Sequence, residues 1–343
     1  MRGKGIGYDT GFVNQFGVST HERWDPQAVG RDLRRIRDDL RCTAVRVTGG
    51  DPDRLEVAAR IAADLGLEVW FSPFTCELTT AELLALLADC ARRAERLRQG
   101  GARVVLVTGA ELSLFTKGFL PGDDGLERTA ALLDGPRDRV AALLADVPWR
   151  INEFLAEAVA VVRGHFGGPV TYASIPFEGV DWTPFDIVSV DAYRAVEIAD
   201  RYEDLIRALV AQGKPVAITE FGAATYRGAG DLGARGTLVV EYADGRPTGF
   251  GRDLVRDERE QAEYLRELVE VFERAGVDAA FACTYACFHL PHGGEPDLDL
   301  GSFGVVRVDL DGTRVPKEGS TALAEVYGRS GPVQGTYERT ASR

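Results

Sequence analysis

The sequence predicts an α/β protein of one domain, a (β/α)8 TIM barrel with a β-hairpin inserted after strand 7. Eight short β-rich runs follow one another along the chain, helical patterns lie between most of them, and 343 residues suffice for one such barrel. No G-x-G-x-x-G follows the first run, which disfavours a dinucleotide-binding sheet. We expect the barrel to occupy residues 1–330 and a C-terminal tail to follow at residues 331–343.

The individual elements follow from residue type and apolar period. Runs of apolar, β-branched and aromatic residues predict strands at 5–9, 43–49, 68–74, 103–111, 170–176, 186–193, 215–222 and 279–285. A 3.6-residue period predicts helices at 25–40, 51–65, 79–99, 138–165, 200–212 and 257–275. The gap after the fifth strand is too short for a helix.

Three segments depart from the alternation of strand and helix. Residues 123–139 indicate a loop with a short helix, and residues 223–256 contain a hairpin pattern around Asp244-Gly245. Both segments follow strands, where barrels place their active sites. After the eighth strand the pattern predicts a short hairpin and a closing helix.

Composition limits the class of protein. Apolar residues make up 45% and charged residues 27% of the chain, as in a soluble protein with a full core. The net charge of −13 argues against nucleic acid as a partner. The first residues lack the apolar segment of a secretory signal and no run of 18 apolar residues occurs, so we expect a cytoplasmic protein that binds no membrane. The bias toward Ala, Gly and Arg is typical of a bacterial source.

Polar side chains lie toward the C-terminal ends of several predicted strands and should meet at the C-terminal face of the barrel. They are Asp9, Arg46, Glu111, Asp191, Tyr193, Glu220 and Tyr285. Glu111 and Glu220 come directly after strands 4 and 7, which lie on opposite sides of a barrel. A carboxyl pair of this kind is what acetal hydrolysis requires, since one group protonates the leaving oxygen and the other attacks or activates water. Arg46 and Tyr193 would keep one of the two ionised.

Four of these motifs resemble a known family. "AITEFG" around Glu220 and "TGAELS" around Glu111 resemble the strand-7 and strand-4 motifs of the clan A glycoside hydrolases, barrels with catalytic glutamates on those strands. The resemblance implies that Glu220 is the nucleophile and Glu111 the acid/base of a retaining double displacement. Arg46 in "AVRV" and Asp191-Ala192-Tyr193 resemble the strand-2 arginine and the strand-6 His-x-Tyr pattern that contact the nucleophile. The implied substrate is a small carbohydrate or glycoside, with hydrolysis or transglycosylation as the reaction and no cofactor.

The chain also departs from the family pattern. Ala110 stands where the asparagine that binds the sugar 2-hydroxyl is usual, and Asp191 stands where a histidine is usual. The usual strand-8 tryptophan is replaced by Tyr285 or Phe288. These departures support an alternative, a barrel that binds a carbohydrate or nucleoside without hydrolysing it. The whole sequence is also similar to bacterial proteins labelled "abortive infection protein", a similarity that implies phage defence.

Two residues after the fifth strand complete the predicted substrate site. Trp182 could stack on a sugar face or fill the space of the missing helix, and Glu178 lies near it in "IPFEGVDWTPF". Both are retained as candidate substrate-binding residues.

A metal site is the remaining alternative. His289 and His292 form an H-x-x-H pair with Pro291 between them, but a zinc site wants three or four ligands, so no metal is expected there. The carboxylates Glu111, Asp191 and Glu220 could instead hold a divalent ion, as in metal-dependent sugar isomerases or lyases.

Overall fold

The computed structural model describes residues 1–133 and 135–329, so the predicted tail at 331–343 lies outside the described residues. Eight parallel strands form the barrel wall, with the hydrogen-bonded order β5-β4-β3-β2-β1-β10-β7-β6. They are β1 (Gly3–Asp9), β2 (Ala44–Gly49), β3 (Glu68–Pro73), β4 (Val104–Ala110), β5 (Val170–Ala173), β6 (Val188–Asp191), β7 (Val216–Phe221) and β10 (Ala279–Ala282). A parallel bridge between Ser174 and Val190 joins β5 to β6 and closes the ring. The predicted (β/α)8 fold is confirmed.

The longer helices cover the outside of the wall, and two four-residue helices lie in the loops after β4 and β7. The helices are α1 (Pro26–Asp38), α2 (Pro52–Asp64), α3 (Thr80–Gln99), α4 (Leu112–Phe115), α5 (Gly125–Leu133), α6 (Arg137–Leu144), α7 (Val147–Arg163), α8 (Tyr202–Val210), α9 (Ala229–Leu232), α10 (Glu258–Ala275) and α11 (Glu318–Gly328). Asp25 and Asp51 accept hydrogen bonds from backbone amides in the first turns of α1 and α2, and each of these helices has proline in its first turn. Among the described residues, none of these helices combines the length and apolar character needed to span a bilayer.

One predicted helix is wrong. The pattern over 138–165 predicts a single helix, whereas the chain forms α6 and then a separate α7. Pro148 stands in the first turn of α7, where its missing N–H costs nothing, but the same residue inside a continuous helix would remove a hydrogen bond. The strands predicted at 170–176 and 279–285 are also shorter in the structure, ending at Ala173 and Ala282.

Two apolar layers hold the barrel together. The larger lies between the wall and the helices, and the smaller fills the barrel interior, where Trp70 packs 4.7 Å from Phe281 between ring centroids. Gly5 on β1 leaves room for the Phe281 ring, since a Cβ there would lie 2.3 Å from a ring carbon. The interior is therefore a packed core and not an open channel.

The predicted hairpin after strand 7 is confirmed as β8 (Val240–Ala243) and β9 (Arg246–Phe250). Asp244 and Gly245 both have positive φ, as the tight turn between twisted strands requires. Tyr242 stacks on Phe16 in the loop after β1, with 3.6 Å between ring centroids. The insertion therefore reaches from the end of β7, past β10, to the loop after β1. The predicted final hairpin is β11 (Val306–Val308) with β12 (Arg314–Pro316), followed by α11.

Candidate active site

Three carboxylates meet at the C-terminal face of the barrel. Glu111 follows β4, Asp191 ends β6 and Glu220 lies on β7, directly opposite Asp191 in the strand register. One oxygen from each lies within 4.8 Å of one from each of the others. We call these three residues the carboxylate cluster. So close a set cannot all be ionised without strong repulsion, so protonation and a counter-charge decide its chemistry.

Glu220 is the member of the cluster with the strongest partners. Arg46 Nη1 donates to its Oε1 at 2.7 Å, and the Tyr193 hydroxyl donates to its Oε2 at 2.7 Å. Both oxygens therefore accept a short hydrogen bond, one of them from a cation. This is the arrangement that stabilises a carboxylate in its ionised form.

Arg46 enters the site from inside the barrel. Its side chain is 1% exposed, Nε donates to Ser72 Oγ at 3.1 Å and Nη1 also donates to the Thr219 carbonyl at 3.1 Å. Burial alone would lower the pKa of Arg46, but the charges of Glu220 and Asp191 outweigh it and the pKa is raised. The guanidinium is thus a permanent buried cation on β2.

Asp191 is buried, and neither carboxylate oxygen accepts a hydrogen bond within the described part of the chain. Its nearest cation is Arg46 Nη1, 4.0 Å away and already paired with Glu220. Burial raises the pKa of Asp191 well above its ordinary value, and the charge of Glu220 raises it further. Both effects favour the protonated form of Asp191.

Glu111 occupies a strained position at the end of β4. Its φ of 47° and ψ of 41° lie in the left-handed region, which glutamate seldom adopts. Burial raises the pKa of the Glu111 carboxyl well above its ordinary value, and the charges of Asp191 and Glu220 add to the effect. Both effects favour the protonated form of Glu111, one of whose oxygens lies within 4.8 Å of an oxygen of Glu220.

A buried network fixes the turn that carries Glu111. The Tyr172 hydroxyl accepts from the Leu112 amide at 2.8 Å and donates to Glu178, whose Oε1 also accepts from the amide and hydroxyl of Ser113 at 3.1 and 2.7 Å. Glu178 is fully buried and also accepts from Ile175 N. The structure thus places Glu178 behind the site, where it holds Leu112–Ser113, and does not present it to a substrate.

Two further predicted residues make their contacts elsewhere. Asp9 accepts from the Gly11 amide at 2.7 Å within the loop after β1, and burial raises its pKa to about 6. Tyr285 is 1% exposed and its hydroxyl donates to Asp32 of α1 at 3.2 Å. Tyr285 therefore packs under α1, away from the C-terminal face, because the strand it was expected to end stops at Ala282.

Trp182 lines a groove that starts at the carboxylate cluster. The groove encloses about 700 Å³. One wall is the segment after β5, the other is α8, and the inner end is formed by Glu111, Asp191 and Tyr193. We call this the apolar groove, with walls made by Ile175, Phe177, Val180, Trp182, Leu205, Ile206 and Leu209.

Sequence reasoning missed Cys283, which follows β10. Burial raises the pKa of its thiol well above the ordinary value, and the charge of Glu220 raises it further, while the thiol also interacts with the Tyr193 hydroxyl. The Cys283 thiol therefore lies beside Glu220 in its neutral form. Its position two residues before Tyr285 was the available signal, but the strand end could not be fixed to that precision from sequence.

Comparison with known proteins gives matches only among solved structures. No protein-family model matches the chain, and no curated protein matches it. A complex of a GH113 β-1,4-mannanase superposes with a TM-score of 0.61 at 17% identity, covering 96% of this chain and 100% of that one. The GH113 β-mannanase AaManA from Alicyclobacillus acidocaldarius gives 0.59 at 15% identity, over 95% and 97% of the two chains. Cel5A from Thermotoga maritima in complex with mannotriose gives 0.52 at 14% identity, over 94% and 96%.

At these identities the likeness establishes the fold. The similarity to proteins labelled "abortive infection protein" stays a prediction. The chain has the (β/α)8 architecture of glycoside hydrolases such as the GH113 mannanases, with a carboxylate cluster at the C-terminal face of its barrel.

Proposed function

We propose that this protein is a retaining glycoside hydrolase or transglycosidase that cleaves an O-glycosidic bond, with Glu220 as nucleophile and Glu111 as acid/base. The observation that carries the proposal is the contrast between the two glutamates. Glu220 accepts hydrogen bonds from Arg46 and Tyr193, whereas burial and neighbouring charge raise the pKa of Glu111. Opposite protonation states on two facing carboxyls are what the reaction needs.

The distance between the carboxyls supports retention over inversion. Retaining enzymes hold the two groups about 5–5.5 Å apart, and inverting enzymes leave about 6.5–9.5 Å for a water molecule. The oxygens of Glu111 and Glu220 approach within 4.8 Å. Direct attack by Glu220 therefore fits the space better than attack by an intervening water.

The reaction proceeds in two steps. A Glu220 oxygen forms a bond to the anomeric carbon as the bond to the glycosidic oxygen breaks, and the Glu111 proton passes to that leaving oxygen. Glu111, now a carboxylate, then takes a proton from water, whose oxygen attacks the anomeric carbon and releases Glu220. An acceptor hydroxyl in place of water would give transglycosylation.

Arg46 and Tyr193 contribute by holding the nucleophile. Each hydrogen bond directs one Glu220 oxygen and leaves the remaining lone pairs for the anomeric carbon. Ala110, 3% exposed and packed in the interior layer, supplies no hydrogen-bonding group where the family pattern has an asparagine. We therefore propose a substrate whose recognition does not depend on an amide at that position.

The second candidate is a divalent-cation site for an isomerase or lyase. It is favoured by the three oxygens within 4.8 Å and by the unpartnered oxygens of Asp191. Against it, Arg46 already supplies the positive charge at Glu220, 2.7 Å away, and a dication would have to bind beside it. Activity that survives EDTA would exclude this candidate.

The test uses a panel of aryl glycosides and small natural glycosides. We expect Glu220→Gln and Glu111→Gln each to abolish turnover of natural glycosides, with Glu157→Gln on the exposed face of α7 as the matched control. Circular dichroism would verify that each variant is folded. Full activity in either active-site variant would refute the proposal. Turnover of no glycoside at all would instead favour the binding-only alternative.

Azide separates the two roles. If Glu220 is the nucleophile, azide should restore turnover of an aryl glycoside by Glu220→Ala and give a glycosyl azide of inverted configuration. The same rescue of Glu111→Ala should give the retained configuration. Exchange of these two outcomes would reverse the assignment.

A further inference from the structure

The apolar groove exists because a barrel helix is missing. Between β5 and β6 the chain forms only a 3-10 turn at Pro176–Glu178, so α7 and α8 have no helix between them. The space is partly filled by the segment that carries Val180 and Trp182, and Trp182 packs on Phe185 at 5.5 Å between ring centroids. What remains open is the groove itself, about 700 Å³ in volume, within the range of pockets that enclose drug-sized ligands.

Its walls are apolar and carry no unpaired charge among the described lining residues. Glu197 and Arg235 lie at the outer rim and form an ion pair with each other. Leu205 remains 45% exposed although it faces the groove. A wall of this composition fits an uncharged hydrocarbon surface, and Arg235, the cation among the described lining residues, is already paired with Glu197.

The groove joins the site on the side of Glu111. Glu111, Asp191 and Tyr193 form its inner end, whereas Glu220 and Arg46 do not line it. The acid protonates the leaving oxygen, so the group attached to that oxygen extends from the acid's side of the site. The groove is therefore continuous with the position of the leaving group.

We propose that the groove binds the aglycone, and that the substrates are glycosides of an uncharged, apolar alcohol. This inference rests on the proposed function, because it takes Glu111 as the group that protonates the leaving oxygen. Both an open-chain alkyl group and a polycyclic ring system are uncharged and apolar, so either could be the aglycone that the groove accepts.

Binding of alkyl glycosides tests the inference independently of turnover. Trp182 in the wall should report occupancy by its fluorescence, with Trp182→Phe identifying its share of the signal. For methyl, butyl, hexyl and octyl β-D-glucosides and β-D-mannosides below their micelle concentrations, we expect Kd to fall about three- to fourfold per methylene buried. Naphthyl glycosides with the same sugars test the polycyclic alternative: tighter binding than octyl would assign that class of aglycone.

A charge introduced into the wall supplies the matched comparison. Leu205→Glu should weaken octyl glycoside binding at least tenfold and leave methyl glycoside binding nearly unchanged. Leu238→Glu, at a leucine 52% exposed and outside the groove, should change neither.

The outcomes separate this inference from the proposed function. Affinity independent of chain length and of ring size, together with no effect of Leu205→Glu, would overturn the aglycone assignment even if Glu220→Gln abolished hydrolysis. Chain-length-dependent binding without turnover of any glycoside would support the groove as an apolar site and refute the hydrolase.

Discussion

Asp191→Asn should stabilise the folded protein, by an amount that grows with pH. Asp191 is buried without a hydrogen-bond partner among the described residues, and burial raises its pKa well above 3.8. The folded protein therefore keeps the proton over a pH range in which the unfolded chain releases it. Since the folded state binds more protons, stability is fully present below the unfolded pKa and is lost as pH rises toward the folded pKa. The side chain of the Asp191→Asn variant does not ionise, so the variant does not lose this stability as pH rises.

The size of the effect follows from linkage. Between the unfolded and folded pKa of Asp191, each pH unit costs the wild type about 1.4 kcal/mol relative to the variant. Two units above the unfolded value the difference is about 2–3 kcal/mol, which is similar to the cost of an unsatisfied buried polar group. For a chain of 343 residues that corresponds to a Tm difference of about 3–4 °C.

Thermal and urea unfolding at several pH values from about 4.5 to 8 would measure the difference directly. Asp200→Asn, at an exposed aspartate, is the matched control and should give a difference that is small and flat with pH. Parallel pH dependences for Asp191→Asn and wild type would refute the reasoning, as would a less stable variant at neutral pH. Either result would mean that Asp191 is ionised and held by Arg46.

Three further predictions concern the proposed activity and the network that supports the site. Tyr193→Phe removes one hydrogen bond to the Glu220 carboxylate, so kcat/KM should fall about ten- to a hundredfold in steady-state assays while the fold is kept. Glu111 must be protonated to act as acid and its pKa is raised, so kcat/KM should fall as pH rises through that pKa, and a pH profile of Glu111→Gln on a substrate with a good leaving group should lack this alkaline limb. Glu178→Ala leaves several buried donors without an acceptor, so urea unfolding should give a free energy of unfolding about 2–4 kcal/mol lower; an unchanged value would contradict the network's role.

The fold and the centre of the site could be predicted because both depend on local pattern. Apolar strands carry a polar residue near their carboxyl ends, and parallel strands bring those ends together, which grouped Glu111, Asp191 and Glu220 without knowledge of any contact. The same rule also predicted Tyr193 as a site residue. Arg46 lies in the middle of β2 and was grouped with them as a polar residue in an apolar strand. The distances between these residues and their hydrogen bonds depend on the closed barrel, and a local sequence pattern does not specify that geometry.

Other residues could not be assigned because the chain leaves regular structure near them. Tyr285 lies three residues past the end of β10, so the alternation of a strand no longer fixes its direction and it turns under α1. Glu178 sits in a 3-10 turn, and only the folded chain reveals that its partners are Tyr172 and Ser113. The apolar groove arises from a helix that is absent, and the short gap in the sequence did not reveal whether Trp182 fills that space or lines it.

The burial of Arg46 makes the stability of the fold depend on Glu220. A guanidinium 1% exposed inside the barrel depends on Glu220 for its counter-charge, and removing one partner of a buried ion pair costs about 3–5 kcal/mol. A descendant that lost the acid on β7 would keep an uncompensated cation in its core, and selection for folding alone would then favour replacing the arginine as well. We expect the two positions to change together in any lineage of this protein, so that a chain keeping Arg46 can be read as one that still keeps its carboxylate.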